Sequence, residues 1–372
     1  MMVEVTIIIP SMNEENTIGE VIQKAKKMLE KTGLNGEIVV VDNSTDKTPE
    51  IATKMGAKVI RGVKGYGKAY LEGFKVAKGK YIVLADADGT YDLSEASKLL
   101  KPLIKNEADI VIGSRLKGEI KPGAMPWLHR YIGNPLLTWV MNRLFGTNIS
   151  DGHSGMRALK RSVIERLNLK CLGMEFASEM LIEAVKRGLR IKEVPITYYP
   201  RKGRSKLRSF RDGWRHLRFM LLYSPSVLFF IPGLMGIFTG AVLMGYVLLL
   251  DPIRTHTIIL GSLLSLIGFQ LLSFGISNKV YAAEFGLVEP DRITRLFMRY
   301  SVLEEGLMLG SALVLFGLFM GWRIFNIWAQ SGYGGLNQVN HAILVLTLIA
   351  LGLQIIFTSF FISSLLIKSE SR

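Results

Sequence analysis

Four stretches of this chain, residues 224–250, 255–278, 306–322 and 341–367, contain no charged side chain. A helix crosses the hydrocarbon core of a bilayer with about 20 mostly apolar residues. Buried helices of a soluble domain seldom run so long without a charge. The spacing therefore predicts four membrane helices, over 224–250, 255–278, 306–329 and 341–367. Arg323 interrupts the far end of the third, where its long side chain can snorkel to the interface.

The loops predict an orientation. Lys279, Arg292, Arg295 and Arg299 fall in residues 279–305, whereas 330–340 has no charge and 251–254 is short. Basic loops stay cytoplasmic. Both termini and the middle loop are expected inside, and the first apolar run, VTIIIP, is too short for a signal peptide core. The net charge of +15 over 372 residues suits an anionic membrane surface or an anionic ligand. Four spans and the lack of a known binding module argue against nucleic acid. The single cysteine, Cys171, excludes an intrachain disulfide.

Residues 1–200 alternate strand and helix patterns. VEVTIIIP, GEIVVVD, AKVIRG, KYIVLAD and ADIVIGSR read as strands. TIGEVIQKAKKMLEKTG, STDKTPEIATKMG, GKAYLEGFKVAKG and SEASKLLKPLIKN read as helices, the first with a capping box of Thr17 and Glu20 and a stop at Gly33. This alternation predicts an α/β fold, a mostly parallel Rossmann-like sheet covered on both faces. Ligands in such sheets bind beyond the carboxyl ends of strands. Here those ends read PSMNEE, VDNSTD and DADGTYD, all acidic. Asp86 and Asp88, two apart in an extended chain, point the same way. They can hydrogen-bond ribose hydroxyls, ligate a hard cation, or simply make an Asp-Gly turn. An EF-hand does not fit, because Gly89 stands fourth from Asp86 and not sixth. GYGKAY follows the third strand and lacks the last glycine of a dinucleotide fingerprint.

In this order and spacing, IIIPSMNEE, VVVDNSTDKT, GYGKAYLEGF, ADADGTYD and VIGSR resemble family 2 glycosyltransferases of the GT-A fold. DGHSGMRALKR, GMEFASEM and EVPITYYPRKGRSKLRSFRDGWRH are similar to the polyprenyl-phosphate branch, which includes dolichol-phosphate mannose synthase and the dolichol- or undecaprenyl-phosphate glucosyltransferases. The resemblance covers residues 3 to about 220. It implies a nucleotide-sugar donor, a polyprenyl (dolichyl) phosphate acceptor and a Mg²⁺ or Mn²⁺ cofactor. It implies that Pro10, Asn13, Glu14 and Asp42 line the nucleotide, with Lys68 in support. Asp86 and Asp88 become a D-x-D pair holding the metal against the diphosphate. The branch often has glutamine two residues later; here it is Thr90, whose hydroxyl or a water would complete the metal's ligands. Arg115 and Arg130 match arginines beside the acceptor phosphate. A third basic site falls on Lys202, with Arg201, Arg204 and Lys206 around it.

A phosphate acceptor has a second pKa of about 6 and is largely dianionic at neutral pH, so it needs cations and no base. In other family 2 enzymes an acidic residue near Glu175 and Glu179 is the base; here either could contact the donor sugar instead or serve structure. His153 and Cys171 read as packing residues. Residues 201–223 hold a basic run, eight cations against Asp212 between 201 and 218, interleaved with Leu207, Phe210, Trp214, Leu217 and Phe219. From Leu207 on this predicts an amphipathic helix in the headgroup layer. The expected activity is inverting transfer of a hexose, from UDP-glucose, UDP-N-acetylglucosamine or GDP-mannose, to the lipid phosphate. The alternatives are transfer to another lipid or a growing polysaccharide, although the Q-x-x-R-W motif is absent, and a non-catalytic scaffold. A homo-oligomer is compatible with the branch.

Overall fold

The computed structural model describes residues 3–203, 209–224, 226–285, 290–334 and 336–367. The chain divides into two compact units, Met1–Met220 and Leu221–Arg372.

The first unit runs β1 (Val5–Ser11), α1 (Ile18–Thr32), β2 (Gly36–Asp42), α2 (Thr48–Lys54), β3 (Lys58–Arg61), α3 (Tyr66–Val76), β4 (Tyr81–Leu84), α4 (Ala96–Ile104), β5 (Ile110–Ile120), α5 (Asn134–Phe145), β6 (Arg157–Lys160), the short α6 (Ile164–Leu167), α7 (Phe176–Lys186), β7 (Ile191–Tyr198) and α8 (Ser209–Tyr223). The seven strands form one sheet in the order β3-β2-β1-β4-β6-β5-β7. All pairings are parallel except those of β6, which runs antiparallel to β4 and β5.

Alternate residues of the strands feed two cores. Val5, Ile7 and Ile9 pack on the side of α1 and α4; Ile8 packs on the opposite side with Tyr70 and Phe74 of α3 and Phe176 of α7. Covering both faces explains why the strands read as unbroken apolar runs. Each fully buried isoleucine contributes about 1.5–3 kcal/mol. β1 is hydrogen-bonded to β2 on one side and β4 on the other, so the strand order reverses between β1 and β4. That reversal opens a crevice at the carboxyl ends, where ligands bind in sheets of this kind.

Two local expectations need correction. Thr17 does not cap α1 with its side chain; its hydroxyl turns back to the Glu14 carbonyl at 3.2 Å. Glu20 pairs with Lys24 and Lys202 instead of closing a capping box. The stop at Gly33 stands, with φ 66° and its N–H donating to the Glu30 carbonyl.

The second unit holds α9 (Ile231–Leu249), α10 (Thr255–Glu284), α11 (Arg292–Phe297), α12 (Val302–Gln330) and α13 (Val339–Leu366). Among the described residues, four helices are long and apolar enough to cross a membrane: Val227–Leu249, Thr255–Glu284, Val302–Gln330 and Val339–Leu366. The second and third extend past the charge-free stretches, since a charge at the end of a span does not break a helix. Glycines set close helix contacts. A Cβ on Gly268 of α10 would stand 2.6 Å from the Gly233 carbonyl of α9, and one on Gly352 of α13 2.6 Å from the Gly310 carbonyl of α12. Small residues of this kind let helix backbones approach in lipid. α10 and α13 meet differently, through side-chain hydrogen bonds: Ser262 with Thr347 at 2.6 Å, Gln354 to Gln270 at 3.2 Å and Thr358 to Ser273 at 3.2 Å.

Candidate active site

Three strand ends build the crevice of the first unit. Ser11, closing β1, is level with Asp42, closing β2, and donates its hydroxyl to Asp42 Oδ1 at 2.7 Å. The other Asp42 oxygen accepts the Ser44 N–H at 2.9 Å. Asn13 adopts a left-handed φ of 53°, donates its N–H to Ser44 Oγ at 2.7 Å and accepts the Thr45 N–H at 2.8 Å. The first two acidic strand ends are thus stitched together. Pro10 is half-buried beside them. Lys68 is exposed in the first turn of α3, with its N–H on the Leu172 carbonyl.

Beyond β4 the chain turns at Gly89, whose φ of 76° suits glycine. Asp86 accepts a hydrogen bond from the Tyr66 hydroxyl at 3.1 Å. A Cβ on Gly155 would collide with its other oxygen. Burial, then the charge of Asp88, holds the Asp86 carboxyl above the usual carboxylate range. Asp88 Oδ1 accepts both the N–H and the hydroxyl of Thr90, at 3.0 and 2.6 Å. Thr90 therefore orients Asp88 through the hydroxyl that the sequence had offered to a metal. Asp92 turns away to cap the short turn Leu93–Glu95, accepting the Ser94 N–H.

Arg201, three residues past β7, reaches into this crevice. Its Nη2 donates to Glu14 Oε1 at 2.7 Å and its Nη1 stands 3.2 Å from Asp88 Oδ2. Its Nε is buried with no partner among the described residues. Arg115 is also committed: Nε and Nη2 form a fork with Asp151, both at 2.8 Å, and the guanidinium lies 5.2 Å from the centre of the Tyr198 ring. An arginine this buried needs such a partner, so Arg115 is the buried partner of Asp151 and not an exposed phosphate grip. Arg130 lies 5.3 Å from the Tyr131 ring centre, and Lys202 donates to Glu20 at 2.6 Å. Arg204 and Lys206 lie outside the described residues.

Glu175 and Glu179 have separate fates. Glu179 is fully buried, and its two oxygens accept the Lys170 and Cys171 N–H groups, both at 2.9 Å. The loop it holds supplies the carbonyls of Leu172 and Gly173 to the Lys68 and Gly67 N–H groups at the start of α3. Glu179 is thus a brace without an oxygen to spare for a sugar. Glu175 Oε2 is buried with no hydrogen-bond partner among the described residues; the nearest cation is Arg215 Nε at 3.9 Å. His153 packs edge-on against His216 with ring centres 4.6 Å apart. Burial depresses both imidazoles, His216 to about 4. Burial also pushes the Cys171 thiol up.

Residues 6–167 match the Glycosyl transferase family 2 profile, and residues 276–366 match the Glycosyltransferase family 2 C-terminal transmembrane region. The low-salt glycan biosynthesis hexosyltransferase Agl6 of Haloferax volcanii is 44% identical over 368 residues, 97% of this chain and 88% of that protein. The chain is a family 2 glycosyltransferase. A dolichyl-phosphate hexose transferase of the same organism is 36% identical over 58% of this chain and 89% of its own. A dolichol-phosphate mannosyltransferase of Pyrococcus furiosus is 33% identical over 63% and 69%. A mycobacterial crystal structure shares the fold, with a TM-score of 0.50 and 20% identity over 59% of this chain and 74% of that one.

Two features of this glycosyltransferase were not read from its sequence. Arg157 is almost wholly buried and donates to the carbonyls of Ser154, Ala177 and Gly152 at 2.9, 2.6 and 2.9 Å. It holds the DGHSG loop against α7. The DGHSGMR motif contained it, but nothing in a motif says which way an arginine turns. Around α5, Trp127, Leu128, Tyr131, Leu136 and Trp139 are each more than half exposed. The interleaving of aromatic and basic residues in PWLHRYIGNPLLTW was the available signal.

Proposed function

We propose that this family 2 glycosyltransferase carries out metal-dependent, inverting transfer of a hexose from a nucleotide sugar to a polyprenyl phosphate. The observation that supports it most is the Asp86–Asp88 pair at the switch-point crevice, with the Arg201 guanidinium against it. The relatives named for dolichyl-phosphate transfer favour the lipid phosphate as acceptor.

The residues fit a hard divalent cation. Among the described residues no group of three or more His, Cys, Asp or Glu side chains gathers to hold a metal. Two carboxylates suit Mg²⁺ or Mn²⁺, which takes one or two protein carboxylates and completes its shell with water and substrate phosphates. The guanidinium against Asp88 marks a place where positive charge is favoured. When bound, the cation would stabilise the charge developing on the departing diphosphate.

The protein's own groups do the rest. Pro10, Asn13, Glu14 and Asp42 shape the nucleotide end and Lys68 stands at its rim. Tyr66 and Thr90 fix the two carboxylates. Glu175 has the unpartnered oxygen that a sugar hydroxyl could use. Arg130 sits among the exposed aromatic residues around α5, a surface suited to the headgroup layer, where Tyr and Trp are favoured. It is our assignment for the acceptor phosphate, with Lys202, Arg204 and Lys206. The phosphate oxygen attacks the anomeric carbon from the face opposite the diphosphate. We place the catalytic unit on the cytoplasmic side, following the basic loop 279–305.

A donor screen tests this. Protein in detergent is given UDP-glucose, UDP-N-acetylglucosamine or GDP-mannose with Mn²⁺ and a short polyprenyl phosphate, beside Asp88→Ala. One donor should give a lipid-linked sugar that needs metal and Asp88. Nucleotide binding without lipid product from any donor would point to another acceptor.

A further inference from the structure

Arg201 bridges two strand ends that a ligand would have to share. Glu14 follows β1 and Asp88 follows β4, and one guanidinium holds both across the switch point. The sequence pattern had placed this arginine with the acceptor's phosphate. Its position is instead on the donor side, against the oxygen of Asp88 that Thr90 leaves open. The side chain is 21% exposed and its Nε is buried without a partner among the described residues.

We propose that Arg201 is a placeholder for the divalent cation. It neutralises Asp88 before a metal binds. It is displaced when the metal and diphosphate arrive, and it then turns its fork to a phosphate. This rests on the reading of Asp86 and Asp88 as the metal pair. The physical reason is exclusion. A guanidinium and a divalent cation cannot share Asp88 Oδ2, because like charges a few ångströms apart repel strongly in a partly buried site. A displaced guanidinium seeks an anion that it can grip with two donors, and phosphate oxygens match that fork. The new anion is either the donor diphosphate or the lipid phosphate. In both cases an arginine that was locked becomes a phosphate ligand only after the metal loads.

The test uses the full chain in detergent, with free Mn²⁺ followed by its electron paramagnetic resonance signal. Wild type, Arg201→Gln, Arg201→Lys and Asp88→Asn are titrated with Mn²⁺ alone, with Mn²⁺ and UDP, and then with a short polyprenyl phosphate. Losing the competing ion pair should tighten binding of Mn²⁺ alone about fivefold in Arg201→Gln. Arg201→Lys, which can touch one carboxylate at a time, should fall between. Weaker UDP binding in Arg201→Gln would identify the diphosphate as the second partner; weaker lipid-phosphate binding would identify the acceptor. Equal or weaker binding of Mn²⁺ alone in Arg201→Gln overturns the proposal. Unchanged Mn²⁺ binding in Asp88→Asn overturns the metal reading beneath it.

Discussion

Thr90 gives Asp88 two hydrogen bonds, from its backbone N–H and its hydroxyl, and both end on the same carboxylate oxygen. Asp88 therefore presents its other oxygen, Oδ2, in a fixed direction. Partners of this kind set the orientation of a metal ligand, and losing one typically lowers metal affinity or activity about 10- to 100-fold. Thr90→Ala should weaken Mn²⁺-dependent UDP binding by about tenfold. Thr90→Ser, which keeps the hydroxyl, should restore most of it. Calorimetric titration of both variants checks this.

Glu175 and Glu179 lie one helical turn apart, yet they should respond oppositely. Glu179→Gln puts an NH₂ group where one of the two accepting oxygens stood, leaves one loop N–H without its acceptor, and should cost about 1–3 kcal/mol of stability. A lower unfolding midpoint in detergent would show it. Glu175→Gln should leave that midpoint unchanged. With a phosphate acceptor it should also keep turnover within about tenfold, since a general base is worth about 10²–10⁴. A loss of 100-fold or more would favour a hydroxyl acceptor.

His216 carries an acid-sensitive contribution to stability. Its imidazole is neutral in the folded chain because burial, first among the causes, lowers its pKa to about 4 from 6.5. The unfolded chain takes up a proton below 6.5 and the folded chain only below about 4. The stability linked to this group is whole above pH 6.5 and is lost as pH falls towards 4, by about 3 kcal/mol at most. His216→Gln should flatten the acid side of a plot of unfolding midpoint against pH. An unchanged slope between pH 7 and 5 would count against it.

The two kinds of helix contact in the second unit should differ in cost. Gly268→Val drives a branched side chain into the Gly233 carbonyl and should separate α9 from α10, with a large drop in thermal midpoint. Gln354→Leu removes one hydrogen bond to Gln270 and should cost under about 1 kcal/mol, as such bonds average about 0.6 in membranes. Unfolding in detergent measures both.

Strands β1, β2, β4 and the first half of β5 were legible because burial on both faces leaves an apolar run in the sequence itself, while the half-exposed edge strand β3 showed only its Val59-Ile60 pair. β6 was not: four residues, Arg157–Lys160, begin on an arginine and pair antiparallel with both neighbours, so no crossover pattern announces them. Asp86 and Asp88 were legible from type and spacing. The sidedness of Arg201 was not, because a long side chain can reach either way and only the packed fold decides. Glu179 shared its helical spacing with Glu175, but the loop 170–173 that claims its carboxylate is a tertiary neighbour that no periodicity encodes.

The polar ladder between α10 and α13 has a consequence for biogenesis. Its partners are 84 or 85 residues apart in sequence. A ribosome adding about 5–20 residues per second makes Thr347 roughly 4–17 s after Ser262. During that interval the pair α9–α10 already has its glycine seam, while the α10 hydroxyls and Gln270 still lack their partners. Insertion of the first hairpin is thus separable in time from its docking with the second.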